Sequence, residues 1–458
     1  MSQWAEEEFG EANLGDLRRT RRLIAIATAR AQRPSVSLPQ SFDGKAGLKA
    51  MYKFCDNAHV SRDAILQSHF QATARRVATE RVVLAVQDTT YVDYSHHPAT
   101  QGLGVLTDER QRGLLLHSTL MVTPTRVPLG LIDQQVIYRD PAEFGKKHRR
   151  KQRPIEEKES RKWLDSLRAT ARLQAACPDT RLVSVGDREA DVYDVFVLGR
   201  ELSQDLLVRA AWNRAVDHEE RYLWDRLEQQ PLAGTVSVTV PRHGTQPGRT
   251  ATLTLRFAPV TLKPPRHRHD ESLPTLPVYG VLAREESPPM GVEPIEWLLL
   301  TTVPVRTAAE AAERIAWYAC RWVIEIYHKI LKSGCRIEDR QWETAARVER
   351  YLAIDSVVAW RVLGLTFQSR QTPDMSCEAF LDRDDWQALA CYMNHTLSPP
   401  QQPPTLKQAA RWIAQLGGFL GRKGDGDPGV TVMWRGLQRL YDLVAMWRLF
   451  NHSNEMVN

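Results

Sequence analysis

The feature that most constrains this chain is a series of apolar, β-branched runs between residues 80 and 210, with one long charged stretch set among them. RVVLAVQDTTYVDY, GLLLHSTLMVTP and VPLGLIDQQVIY read as three consecutive strands bounded by turn residues. A charged stretch follows from Lys146: KKHRRKQRPIEEKESRKWLDSLRATARLQ. Its second half reads as a helix opened by Pro154, with Glu156 and Glu157 in the first turn. TRLVSVGDREAD is a buried-type strand ending at Asp187, VYDVFVLGRELS a helix and DLLVRAAWN another strand. The order is β-β-β-α-β-α-β, an α/β core.

The flanks differ from this core. GTVSVTVP, RTATLTLRFAPVTL, LPVYGVLAREE and IEWLLLTTVPV, between residues 232 and 304, read as an antiparallel β-insertion. Within it, His-x-His in RHRHDE (266–271) sits beside Pro-Pro on a charged loop, which fits a solvated loop tip better than a metal site. Residues 308 to about 341 carry a long helical pattern. The remainder is helical, broken by the Pro-rich LSPPQQPPTLKQ and the Gly-rich GRKGDGDPG. The N-terminal stretch is also helical. LGDLRRTRRLIAIATARAQ has a basic amphipathic pattern, and Met51, Tyr52 and Phe54 interleave with Lys49 and Lys53, which suits contact with a nucleic-acid backbone or a plainly solvated face.

Charge and composition narrow the classes. A net charge of +6 and a pI near 9.0 suit a polyanionic partner. No apolar run is long enough to span a bilayer, and the acidic start lacks the apolar core of a signal peptide, so a cytoplasmic protein without a membrane partner is expected. The six cysteines form no CxxC pair, which points to reduced thiols rather than a disulfide framework or a zinc site.

Three acidic residues stand where chemistry could use them. Asp88 ends the apolar run VVLAVQ, Asp187 ends RLVSVG, and Glu325 lies inside the long helix. Two strand-end carboxylates and one helical carboxylate can converge on a pair of hard divalent cations, which clamp the attacking and leaving oxygens of a phosphoryl transfer. Each alone also fits a turn or cap residue. On a continuous helix at about 100° per residue, Tyr318, Arg321, Glu325 and Lys332 share an arc of roughly 60°. That face suits a phosphodiester held against a metal ion, or ordinary Glu–Arg and Glu–Lys surface pairing.

These residues resemble the DDE transposases of bacterial insertion sequences, IS-four type. The resemblance rests on several blocks in order: WAEEEFGEANLGDLRRTRRL, AVQDTT, VGDREAD, IEWLLLTTVPV, YACRWVIEIYHKILKSG, and ARWIAQLGGFLGRKGDG followed by MWRGLQRL. They cover nearly the whole chain. The fifth carries the family's Tyr-Arg-Glu-Lys signature as Tyr318, Arg321, Glu325 and Lys332.

The resemblance implies an RNase H-like catalytic core over 71–365 with a β-insertion at about 212–304. It implies a helical DNA-binding domain over 1–70 and a helical dimerisation domain over 366–458. Asp88, Asp187 and Glu325 would bind two Mg²⁺, with Mn²⁺ able to substitute, and no nucleotide cofactor is expected. The implied reaction is cut-and-paste. Water frees a 3′-OH at the transposon end, that hydroxyl closes a hairpin which a second water reopens, and the ends then attack target DNA. A homodimer would pair two ends. Tyr318, Arg321 and Lys332 would hold phosphates. Trp297 would stack on a flipped base, Arg209 would support that pocket, and Lys53 would touch end DNA. Val236 departs from the family, which has a Tyr there, and the KKHRRKQR arm has no close counterpart in it. The competing readings are a catalytically silent DNA-binding regulator and a stand-alone RNase H-like nuclease or junction resolvase; the intact carboxylates and the additional terminal domains speak against them.

Overall fold

The computed structural model describes residues 3–42, 44–145, 153–240, 248–268 and 271–455. The basic arm at 146–152, and His269 of the His-x-His, lie outside the described residues.

Five helices come first: α1 (Gln3–Phe9), α2 (Leu17–Gln32), α3 (Leu38–Ser41), α4 (Lys45–Asp56) and α5 (Arg62–Val77). The core follows as β1 (Val82–Asp93), β2 (Gly104–Val105), β3 (Arg112–Val122), β4 (Pro128–Ile137), α6 (Arg161–Ala176), β5 (Arg181–Gly186), α7 (Tyr193–Glu201) and β6 (Asp205–Arg209). The insertion holds α8 (Leu223–Glu228), β7 (Gly234–Val240), β8 (Arg249–Leu262), β9 (Leu276–Arg284) and β10 (Glu296–Thr301). Then come α9 (Ala308–Ala319), α10 (Trp322–Lys329), α11 (Ala345–Gln371), α12 (Arg383–Asn394), α13 (Leu406–Leu416) and α14 (Val430–Glu455).

The ten strands among the described residues join one mixed sheet in the order β2-β3-β1-β5-β6-β10-β9-β8-β7, with β4 on β3. β1, β5 and β6 run parallel, and β3 and β4 continue antiparallel from β1. This is the mixed sheet of an RNase H-like core. The insertion strands are antiparallel to one another and extend the same sheet, because β10 pairs with β6. The parallel strands are apolar along their length because both faces are covered. Leu84, Val86, Val183, Val185 and Leu207 face a core shared with α10, α11 and the N-terminal helices. Leu206 and Val208 face Trp163, Leu167 and Phe196 of α6 and α7.

Two local expectations are corrected. Pro154 opens only a 3₁₀ turn, Ile155–Glu157, and α6 begins at Arg161. The charged residues between are drawn into ion pairs, Glu159 with Arg139 and Lys162. The long helix expected from residue 308 is interrupted: α9 stops at Ala319, α10 starts at Trp322, and a π turn (Ile330–Gly334) follows. The expected segment limits after residues 70 and 365 both fall inside continuous helices, α5 and α11. The helical ends are therefore built into the core rather than strung from it.

The seams are polar and buried. Arg30 of α2 bonds Asp355 of α11 at 3.1 Å through both Nε and Nη2, with both side chains fully buried. At the other end, an added Cβ on Gly436 would stand 1.8 Å from the Ile413 carbonyl oxygen, so α13 and α14 cross backbone to backbone.

Candidate active site

Register places the first two carboxylates. Val86 pairs with Val185 across the parallel β1–β5 ladder. Asp88 and Asp187 each lie two residues further on, past the end of that ladder, at the same level of two neighbouring chain segments and near enough for the Asp88 charge to act on Asp187. Period-two alternation also puts Asp88, Asp187, Arg209 and Trp297 on the face that carries Leu84, Val86, Val183, Val185, Leu207 and Leu299. Asp88 is not at a strand end. β1 continues to Asp93 on its β3 pairing, and only the ladder to β5 stops before Asp88. Asp187 does follow the end of β5 and caps the turn Arg188–Ala190, accepting from the Glu189 amide at 2.8 Å. Gly186 is required there, since a Cβ would come within 2.3 Å of Ala190 Cβ.

The helix break aims the third group. Arg321 occupies the corner between α9 and α10, and Glu325 lies one turn into α10. The Arg321 guanidinium ion-pairs with Glu325 and stands 3.9 Å from Asp88 Oδ1. Its Nε is buried without a hydrogen-bond partner among the described residues. Burial, and then the negative charge of Asp88, raise the Asp187 carboxyl above its ordinary range, against the Glu189 amide and Arg321. Among the described residues no three His, Cys, Asp or Glu side chains are already gathered as a metal cage. Arg321 ion-pairs with Glu325 while it faces Asp88.

The other expected residues distribute unevenly around this centre. Tyr318 is buried, and burial raises its phenol despite Arg321 and Arg209 nearby. Arg209 donates to the Glu296 carbonyl at 2.8 Å and faces the Tyr318 phenol. Trp297 is 9% exposed and packs edge-on against Tyr318 at 5.1 Å, so it presents no open face. Val236 packs against the same core from β7. Lys332 lies in the π turn, donating to the Tyr91 carbonyl at 2.8 Å and pairing with Glu338 at 3.0 Å, three residues along β1 from Asp88. Lys53 is not at this centre. It lines a separate groove of about 560 Å³ with Lys45, Lys49, Tyr52, Trp342 and Arg347.

One neighbour escapes the sequence reading. His328 is buried on α10 with Nδ1 3.5 Å from Asp88 Oδ2. Its signal was available: it falls three residues after Glu325, hence on nearly the same helix face.

Comparison with known families agrees with this geometry. The family described as "Transposase DNA-binding" matches residues 1–60, "Transposase DDE domain" residues 132–359, and "Transposase Tn5 dimerisation domain" residues 357–455. Three matches in that order, around a mixed sheet that sets two aspartates abreast, place the chain among the IS4-like DDE transposases, enzymes that resemble the Tn5 transposase.

Proposed function

We propose that this DNA transposase works by cut-and-paste, with Asp88, Asp187 and Glu325 as its catalytic carboxylates. The observation that carries the reading is the Asp88–Asp187 pair, set abreast by the β1–β5 register and faced by Glu325 across Arg321.

A DDE domain implies divalent metal ions, and these residues fit them. The donors are all carboxylate oxygens, the hard ligands that Mg²⁺ and Mn²⁺ prefer. Asp187 is already strained toward its protonated form by burial and by Asp88, a field that a cation between them relieves. When bound, two such ions would supply an activated water and neutralise the phosphoryl charge. Asp88 and Asp187 would hold them from the sheet, and Glu325 from α10 after leaving Arg321.

The remaining residues position DNA. Arg321, freed from Glu325, would take a phosphate oxygen, helped by Arg209 and by the Tyr318 phenol. Lys332 would hold a phosphate further along β1. A hairpin intermediate needs a distorted end, and Trp297 could stack on a flipped base only after parting from Tyr318. End DNA would lie on the Lys53 groove, with two chains pairing two ends through the helices after residue 366. Target DNA would enter once the 3′-OH is free.

The test is cleavage of a labelled fragment carrying the element's own end, with Mg²⁺, alongside Glu325→Gln. The expected result is a nick followed by a hairpin in wild type, both reduced to background in the variant. End binding without strand breaks in either protein would instead establish a silent regulator.

A further inference from the structure

Among the described residues the most exposed aromatic ring is not the expected Trp297 but Trp212. It follows β6 by three residues and is 67% exposed. Its backbone is nevertheless fixed. The buried Asp191, four residues after Asp187, accepts from the Ala211 amide at 2.7 Å and the Trp212 amide at 3.2 Å. Arg214 then closes the turn on Asp191, Nε to Oδ1 at 2.7 Å and Nη2 to the carbonyl at 2.6 Å. A large apolar ring held in water on a rigid base serves no packing purpose here; a rigid stacking platform needs just such an arrangement.

The ring overlooks a cleft of about 640 Å³ whose lining includes five Lys or Arg (Lys158, Arg214, Lys263, Arg266, Arg268) and two Asp (Asp191, Asp194). Arg214 and Asp191 cancel, Lys263 pairs with Asp217 at 2.9 Å, and Arg268 is shared between Asp194 and Glu271. Five cations against two anions leave the lining itself positive, as a polyanion requires.

The position fixes which strand. At the C-terminal edge of the parallel strands, the order is β1, β5, β6. Beyond β1 lie Lys332 and then Trp342, which packs on Tyr52 at 5.6 Å beside Lys53. Beyond β6 lie Trp212 and its cleft. The carboxylates stand between. If end DNA occupies the Lys53 groove, the cleft is on the other side of the scissile phosphate.

We infer that Trp212 and this cleft bind the unpaired DNA strand that flanks the element, with Trp212 stacking on one of its bases. The inference rests on the transposase reading for the identity of the DNA. It differs from any role of Trp297, which is covered.

The experiment compares wild type, W212F and W212A in metal-free buffer, so that no strand is cut. The probes are an end duplex without flank and the same duplex with about ten unpaired flanking nucleotides carrying 2-aminopurine. The expected result is that flank tightens wild-type binding about tenfold, within the range for one stacked base, and shifts the 2-aminopurine fluorescence. W212F keeps both effects and W212A loses both, while all three bind the flank-free duplex equally and melt at the same temperature. An equal gain from flank in W212A overturns the inference. So does an unchanged flank gain in W212A accompanied by weaker capture of an added target duplex, which would give the cleft to target DNA. Because these readouts need no metal, failure of cleavage would strike the catalytic reading alone.

Discussion

The Arg321 guanidinium meets Glu325 and Asp88, two of the carboxylates proposed to hold metal, while its own Nε lacks a partner among the described residues. It is only 11% exposed as a side chain, so solvent screens it weakly from Asp88. A unit charge at about 4 Å is worth roughly 4 kcal/mol at an effective dielectric near 20, before relaxation. Arg321→Gln should therefore bind Mn²⁺ more tightly in the absence of DNA, by roughly tenfold, while cleaving end DNA more slowly for want of a phosphate ligand. Mn²⁺ titration by electron paramagnetic resonance, beside the cleavage assay, checks both. Equal or weaker Mn²⁺ binding would mean that Arg321 does not compete for the carboxylates. At this scale the sequence was informative where a residue interrupts a pattern: Asp88 and Asp187 break apolar runs, and Glu325 follows an arginine by one turn. It was silent on who holds whom. The Arg321 bridge depends on a helix corner, and the covering of Trp297 on Tyr318, neither of which periodicity reveals.

Elements are legible to the extent that burial dictates their sequence. The parallel strands are apolar on both faces and were read correctly, as was their order with α6 and α7. The break between α9 and α10 was not, because residues 308 to 341 keep a helical apolar spacing on both sides of the corner. The tie between α1, α5 and β4 was equally hidden, being made by residues some 60 positions apart. Glu8 accepts from Arg76 at 2.7 Å and lies 2.5 Å from His69 Nδ1, while His69 Nε2 accepts the Leu131 amide at 3.0 Å. Accepting at Nε2 leaves His69 neutral with its proton on Nδ1, as its burial also favours. Burial alone would push Glu8 up; the Arg76 guanidinium and the hydrogen bond from the His69 ring outweigh it and hold Glu8 below its ordinary range. The folded value is thus depressed below the unfolded one, so the stability from Glu8 is fully present above about 4.5 and is lost as pH falls toward 2. Glu8→Gln should cost about 3 kcal/mol at pH 7, because Arg76 loses its buried partner, and progressively less as the pH drops below 4.5. Urea midpoints from pH 7 to pH 3 measure the gap. A gap independent of pH would remove the ion pair as its cause.

For the whole molecule, the helical ends and the sheet share one apolar core, from Phe9, Leu23 and Met51 through Leu84 and Val86 to Leu352 and Trp434. A DNA duplex bound to the N-terminal helices would therefore be held rigidly against the proposed catalytic face rather than tethered to it. The groove proposed for end DNA, between α4 and the start of α11, carries its charge unevenly. Lys53 is exposed on its rim, whereas Arg347 opposite is tied to Asp56 at 2.7 Å and Glu343 at 2.6 Å. A cation already paired has less charge to give a phosphate, so the two should differ even though they line one groove. Lys53→Ala should weaken binding to any duplex by a similar factor and lower the slope of log affinity against log salt by about 0.9, the share of one phosphate contact. Arg347→Ala should lower it by less, since losing the arginine also frees two carboxylates that repel DNA in either state of salt. Fluorescence anisotropy across a salt series, on the element's end and on an unrelated duplex, separates the outcomes. A Lys53 effect confined to the end sequence would mean that it reads a base rather than neutralising the backbone, and no change in slope would take the duplex off this groove altogether.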